Sequence, residues 1–169
     1  RIGMEAIFDF FSFAGKEVAL FIVSMIPLIE LRGAIILGAA LGMNWLSVFL
    51  ISVIGNILPI AFIVLFGKKI IEWLKKIPAL SKLAHKYEAR LLKQADKVTK
   101  YSVIGLCLFV AVPLPGTGAW SGAAIAALLN MRMKYAFWSI ALGVVIAGVI
   151  MTIGSYGTAT VINLFQGMA

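Results

Sequence analysis

The stretch Val112-Pro-Leu-Pro-Gly-Thr-Gly-Ala-Trp120 decides the fold, because it interrupts an uncharged segment near its centre. That segment covers 31 residues, from Tyr101 to Met131. A membrane-spanning helix needs about 20 residues, so the segment is too long for one crossing and too short for two with a loop. Pro113 and Pro115 each remove a backbone donor and clash with the preceding turn, which prevents a regular helix here. We therefore predict a re-entrant helical hairpin over residues 101–131.

The first half of the chain has the same order of segments. The sequence Pro27-Leu-Ile-Glu-Leu-Arg-Gly33 separates two short apolar pieces, which predicts a first re-entrant hairpin over residues 17–43 after an N-terminal helix. Each hairpin is followed by an apolar segment long enough to cross a bilayer, and we predict transmembrane helices over residues 44–67 and 135–157. A shift of 88 residues places Pro27 on Pro115 and Gly55 on Gly143. Such a recurring order is typical of an internal repeat.

Composition assigns the chain to the membrane proteins. Of its 169 residues, 62% are apolar and 13% are charged, whereas soluble domains carry about 45–50% apolar and about 25% charged residues. One soluble core cannot bury this much apolar surface, which excludes secreted scaffolds, disordered tails and ordinary cytosolic enzymes. The single cysteine, Cys107, forms no internal disulfide and is too little for a metal cluster.

The positive charge is concentrated in one region. Ten of the fifteen Lys and Arg residues lie between Lys68 and Lys100. From Ala79 to Tyr101 the apolar residues recur every three or four positions opposite the basic ones, which predicts an amphipathic helix on the anionic cytoplasmic leaflet. A solvated linker between two membrane halves is the alternative, and no pattern indicates a nucleic-acid-binding fold. The positive-inside rule places residues 68–100 in the cytoplasm of a multi-pass inner-membrane protein.

These elements predict an all-α integral membrane protein built from two inverted repeats. The first repeat covers residues 4–67, the basic linker residues 68–100, and the second repeat residues 101–169, including a C-terminal segment. Inverted repeats with broken helices near mid-membrane are typical of secondary transporters. A bundle of six simple spans, with the prolines as ordinary kinks, remains the alternative.

Glu30 and Arg32 are the ionisable residues of the predicted first hairpin tip, and no other charged side chain occurs between Glu17 and Lys68. Ionisable groups at membrane depth are costly, which favours a functional role. Glu30 could exchange a proton or position Arg32, whose planar guanidinium suits an anionic headgroup. A structural ion pair that neutralises itself is the alternative.

The second break carries no charge, so its contribution would come from the backbone. Gly116 and Gly118 place free amides at the start of a half-helix, where an anion is favoured, although close helix packing also explains glycines. Asn56 could line a cavity or cap backbone freed by Pro59. We predict no metal site, no cofactor and no enzymatic activity. The predicted binding residues are Pro27, Glu30, Arg32, Gly33, Asn56, Pro115, Gly116, Thr117, Gly118, Trp120 and Ser121.

The two break motifs resemble those of the small multidrug export protein family, which is itself similar to the DedA-like (SNARE-associated, VTT-domain) superfamily. The resemblance covers about residues 5–165 and implies two opposed re-entrant hairpins, each followed by a spanning helix. It further implies proton-linked transport or flipping of lipids, such as polyprenyl phosphates. DedA-like proteins place arginines around the second Pro-Gly, whereas this chain has Val112 and Gly118 near those positions.

Three functions follow as hypotheses. The first is a proton-coupled transporter or flippase for an anionic lipid or small amphiphile, with Glu30 carrying the proton and Arg32 binding the headgroup. The second is a proton/cation multidrug antiporter that uses Glu30 alone. The third is a non-transporting assembly or scaffold protein. The expected partners are the membrane, the substrate and a coupling ion, with no nucleic acid, and a homo-oligomer is left open.

Overall fold

The computed structural model describes the backbone of residues 2–99 and 102–167 and, within these ranges, the side chains of 12, 14–95 and 103–167. The described chain is all-helical, without a strand. Its helices are α1 (Ile2–Met25), α2 (Glu30–Ala40), α3 (Trp45–Ile57), α4 (Ile60–Lys76), α5 (Pro78–Thr99), α6 (Ser102–Ala111), α7 (Ala119–Leu128) and α8 (Met133–Gly167).

Two helical segments among the described residues are long and apolar enough to cross a membrane, Trp45–Lys76 and Met133–Gly167. Large apolar side chains on them face outward, among them Phe62 at 65% and Trp138 at 65% exposure. Exposed apolar surface of this extent is unfavourable in water and indicates contact with lipid.

The helix bounds differ from the predicted ones in three places. The span predicted over residues 44–67 is divided by a turn at Leu58 and Pro59, and α4 then continues to Lys76. Proline 59 has no backbone donor for the preceding turn, which explains the division. The N-terminal helix and the first arm of the predicted hairpin form one helix, α1, and α8 runs ten residues beyond Gly157 to Gly167.

The contacts divide the chain into two compact units. Unit 1 consists of residues 1–56 and 148–169, and unit 2 of residues 57–147. In unit 1, α1 packs against α2, and α2 against α3. A Cβ added at Gly38 of α2 would lie 2.6 Å from both γ-carbons of Val48 on α3. Such a close approach needs a glycine, and it brings the α2 and α3 backbones together.

Unit 2 is built around the alanine-rich α7. This helix packs against α4, α5 and α6, and its residues Gly122–Ala127 are all buried. The basic helix α5 packs on α4, and Lys75 of α4 forms an ion pair with Glu88 of α5. At Gly143 an added Cβ would lie 2.7 Å from the Cys107 carbonyl oxygen, so α6 and α8 touch through backbone atoms.

The ends of α2 and α7 have the same local hydrogen bonds, 88 residues apart. Met43 donates from its amide to the carbonyl of Gly38 at 3.0 Å, and Met131 donates to Ala126 at 3.0 Å. The residues before these methionines, Gly42 and Asn130, have φ of +68° and +51°. This is the helix end in which a left-handed residue closes the last turn, and glycine and asparagine are the residues that adopt it most readily.

Candidate functional site

The first break, between α1 and α2, is a tight turn that exposes its apolar tip and buries its acid. The Glu30 amide donates to the Ile26 carbonyl at 2.9 Å, and the Gly33 amide donates to Ile29 at 3.0 Å. Leu28 is 97% exposed, whereas Glu30 is 4% exposed. The turn over residues 26–29 therefore returns the chain so that the first residue of α2 lies inside unit 1.

Glu30 adopts an unusual backbone conformation. Its φ is +53°, and in the described part of the chain Asn130 is the other non-glycine residue with a positive φ. The left-handed region costs an ordinary residue about 1–2 kcal/mol. A glycine or asparagine at position 30 would adopt it more readily, so stability alone does not explain a glutamate there. Backbone strain of this kind is concentrated at functional sites.

Glu30 and Arg32 interact electrostatically at the start of α2, and a role of either residue in binding stays a prediction. Arg32 is half-buried. Opposite charges in a poorly solvated place stabilise each other more than they would in water. Beside them, a Cβ added at Gly33 would overlap the Ile29 side chain, so Gly33 gives Ile29 room to fold over the helix start. Pro27 lies in the exposed turn.

The second break, between α6 and α7, is a loop held by its own hydrogen bonds. The Thr117 amide donates to the Leu114 carbonyl at 3.2 Å, closing a turn with Pro115 and Gly116 at its centre. Gly116 has φ +81°, which is the geometry of a type II turn. The Thr117 hydroxyl lies 2.8 Å from the carbonyl oxygens of both Val112 and Leu114. This hydroxyl therefore holds the loop together, a role that the sequence did not indicate.

The start of α7 follows the loop directly. Gly118 is the N-cap residue of α7, with φ +127°, and as a glycine it provides no side-chain hydrogen bond to the helix start. Gly118 and Ala119 are buried, while Trp120 and Ser121 of the first turn are half-buried.

A cation reaches the second break from another helix. If Gly116 carried a Cβ, that atom would lie 2.7 Å from Nη2 of Arg90 and 3.6 Å from Nε2 of Gln94, both on α5. The loop itself has no charge, and sequence reasoning assigned the basic residues of α5 to a solvated or lipid-facing surface. The spacing of Arg90 and Gln94 by four residues puts them on one helix face, but only tertiary packing tells which loop that face meets.

Asn56 lies at the end of α3 and is wholly buried. Neither atom of its side-chain amide has a hydrogen-bond partner among the described residues. Of the two alternatives for Asn56, a cap on the backbone near Pro59 is not seen in this part of the chain, and lining a cavity stays a prediction. Of the predicted binding residues, unit 1 contains Pro27, Glu30, Arg32, Gly33 and Asn56, and unit 2 contains Pro115, Gly116, Thr117, Gly118, Trp120 and Ser121.

An apolar groove lies between α2 and the C-terminal part of α8. Its volume is about 550 Å³, and Ala39, Ala40 and Gly154 are among the small residues that line it. The Thr158 hydroxyl donates to the Gly154 carbonyl at 2.5 Å, which leaves a largely apolar wall. A drug-sized molecule fits a cavity of about 300–1,000 Å³. No sequence pattern indicates this groove directly, because small residues in membrane helices usually indicate helix contacts.

The apolar helices, the outward apolar side chains and the buried acid–base pair define this chain as a membrane protein. Its sequence matches, over residues 30–150, the family described as "Putative small multi-drug export protein". The match covers well over half of the chain, and the protein therefore belongs to the small multidrug export family. Neither the curated proteins nor the solved structures contain a match to it.

Proposed function

We propose that the protein is a secondary transporter that exports small amphiphilic molecules and exchanges a proton at Glu30. The observation that carries the proposal is the placement of Glu30, which is 4% exposed and in a left-handed conformation. A buried carboxylate is costly, and a carboxyl group that alternates between protonated and charged forms is what proton coupling requires. The family description supports export as the overall activity.

The groove of unit 1 supports a small apolar or amphiphilic substrate. It is lined by Ala39 and Ala40, which belong to the same helix that begins at Glu30. A molecule in this groove would contact α2, and a change at the helix start could be transmitted along a rigid element of 11 residues. Glu30 and the groove would then act as the ion and substrate parts of one transport cycle.

The proposed transporter has two repeats with re-entrant hairpins and lies in the cytoplasmic membrane. Support for the repeat comes from the helix bounds, since α3 begins at Trp45 and α8 at Met133, 88 residues later. The matching helix ends at Gly42 and Asn130 add to it. The basic residues between Lys68 and Lys100 support a cytoplasmic location for α5.

A lipid flippase is the second candidate, and a specific observation favours it. The Arg90 guanidinium lies beside Gly116, so the second break has a cation near the amides at the start of α7. Guanidinium groups and helix N-termini both favour phosphate. In this second proposal the substrate is an anionic lipid in place of an amphiphilic drug. Arg90 would bind its headgroup at the second break, and Arg32 would bind it at the first break.

Transport by the purified protein in liposomes distinguishes these candidates. We expect wild-type protein to move a fluorescent lipophilic cation, and Glu30→Gln to lose that activity because it cannot exchange a proton. The control is Glu72→Gln, an exposed carboxylate on α4, which should transport normally. Normal transport by Glu30→Gln would contradict the proposal.

The same liposome experiment also identifies the substrate, by comparing transport of the lipophilic cation with transport of a fluorescent phospholipid. If the lipid is the substrate, Arg32→Ala should abolish its movement, and the lipophilic cation should not move at all. If the amphiphile is the substrate, Arg32→Ala should retain export. A protein that moves neither probe would leave the scaffold hypothesis as the better account.

A further inference from the structure

Two buried polar side chains on α3 have no role in the function proposed so far. Ser52 and Asn56 are both 0% exposed, and the Ser52 hydroxyl and both Asn56 amide atoms lack a hydrogen-bond partner within the described chain. Burying a polar group without a partner costs about 1–3 kcal/mol. Such groups are therefore expected to serve an ion or another ligand, since an apolar side chain would otherwise be more stable there.

Both side chains point into the interior of unit 1. Residues of α3 are rotated by about 100° from one to the next. On this projection Val48 faces Gly38 of α2, and Gly55 faces Ser24 of α1. On the other side, Phe49 and Val53 face Gly148 of α8. Ser52 and Asn56 fall between these two directions, four residues apart on one face, and so they point toward the space that α1, α2 and α8 surround.

Contacts of α2 with α3 and α8 relate Glu30 to this end of α3. Because α2 and α3 are antiparallel with Gly38 opposite Val48, each turn back along α2 corresponds to one turn forward along α3. We infer from this register that the start of α2, with Glu30, lies toward the end of α3 that holds Asn56. A second contact supports the same register, because a Cβ on Gly148 would lie 3.2 Å from the Leu31 side chain and 3.1 Å from Val53.

The side-chain oxygens of this cluster favour a cation. The part of α8 in unit 1 and the whole of α3 contain no charged residue. From α2 come Glu30 and Arg32, which interact with each other, and the described charged side chains of α1, Lys16 and Glu17, lie about two turns before Ser24. The cluster thus offers one carboxylate, one amide oxygen and one hydroxyl oxygen, and hard cations bind to oxygen ligands of this type.

We propose that Glu30, Ser52 and Asn56 form a binding site for Na⁺, which competes with the proton for the Glu30 carboxylate. This inference rests on the proposed function, because it names a second ion that the same carboxylate would bind in the transport cycle. Na⁺ needs several oxygen ligands and not only a carboxylate, which gives the two neutral side chains a purpose. The site lies at the end of α3, beside the turn at Leu58 and Pro59, and coordination by interrupted helices is a common arrangement for Na⁺ in transporters.

Equilibrium binding of radioactive Na⁺ to the full chain in lipid nanodiscs tests the site. We expect saturable binding that weakens as the pH falls, because protons and Na⁺ compete for one carboxylate. Asn56→Ala and Ser52→Ala should each weaken binding by about tenfold, the loss expected for one ligand to a charged group, and Glu30→Gln should abolish it. The control is Ser139→Ala on α8 in unit 2, whose buried hydroxyl already donates to the Val103 carbonyl; it should bind Na⁺ as the wild type does.

Two results would overturn the site: no saturable Na⁺ binding by the wild type, or binding by Ser52→Ala and Asn56→Ala that equals that of the wild type. The two variants check each other, since either one suffices if the other does not fold. Proton-driven export by a wild type that binds no Na⁺ would reject this site and leave the proposed function standing. If the wild type binds Na⁺ but Glu30→Gln exports normally, the Na⁺ site stands and the proposed function is rejected.

Discussion

At the scale of single residues, glycines set how closely the helices approach. Among the described glycines, some would meet a neighbouring helix with an added Cβ, such as Gly143, and others have open space around them, such as Gly157. At Gly143 the nearest atom is a backbone oxygen of Cys107, at 2.7 Å, which cannot rotate away as a side chain can. The packing of α6 against α8 therefore depends on this residue.

Gly143→Ala should destabilise the protein by about 1–3 kcal/mol, because the added methyl group forces α6 and α8 apart. The matched control is Gly157→Ala on the same helix, which meets nothing within 4 Å and should be neutral or stabilising by up to about 1 kcal/mol. Thermal unfolding of both variants in the same detergent measures the difference. Equal melting temperatures would show that the close approach at Gly143 is wrong.

At the scale of elements, α2 and α7 end in the same way. A left-handed residue, Gly42 in one and Asn130 in the other, allows the following methionine amide to bond back across the last turn. Such an end fixes the direction in which the chain leaves the helix and enters α3 or α8.

Gly42→Ala and Asn130→Ala should each destabilise the protein by about 1 kcal/mol, the cost of a left-handed conformation for an alanine. Asn130→Gly should be neutral or stabilising, since glycine has no such penalty. Unfolding by denaturant at constant detergent concentration measures the three changes. A loss of stability in Asn130→Gly comparable to that in Asn130→Ala would contradict the left-handed cap.

Part of the apolar face of the basic helix α5 packs on other helices of unit 2. Of its apolar stripe, Ala84, Leu91 and Ala95 are buried inside unit 2, whereas Leu80 and Leu83 are exposed. The ion pair of Glu88 with Lys75 joins it to α4. Part of this face therefore packs on protein, and only the remainder is available to a lipid surface.

Arg90→Ala should make the second break more accessible, because the guanidinium next to Gly116 covers the loop. The measurement is the rate at which a water-soluble maleimide labels Pro115→Cys, an exposed loop position, in a Cys107→Ser background. Labelling should be faster with Arg90→Ala and unchanged with Lys93→Ala, an exposed lysine on the same helix. An unchanged rate in both variants would mean that Arg90 does not cover the loop.

At the scale of the whole molecule, local sequence rules predicted much of the architecture. Uncharged segments and the proline–glycine breaks predicted an all-helical membrane protein with interruptions near Glu30 and Gly116, and the helices are interrupted at these places. Proline and glycine act within a few residues, so their effect can be predicted without tertiary structure. The turn at Pro59 follows the same rule. It was not predicted, because the apolar residues on both sides of Pro59 indicated one continuous transmembrane helix.

Features that depend on packing could not be predicted in this way. The approach of Arg90 to Gly116 joins residues 26 positions apart, and the complete burial of Ser52 follows from tertiary packing. The left-handed conformation of Glu30 has no sequence signal, because glutamate rarely adopts it. Charge and hydropathy thus single out the residues proposed for the candidate site, whereas their geometry depends on packing.

The central claim is that Glu30 exchanges a proton as substrate crosses the membrane. The most direct measurement is the internal pH of liposomes that contain the purified protein and a trapped pH-sensitive dye, before and after a lipophilic cation is added outside. We predict a substrate-dependent pH change with wild type and with Glu72→Gln, and none with Glu30→Gln. A pH change of the same size with Glu30→Gln would contradict the claim.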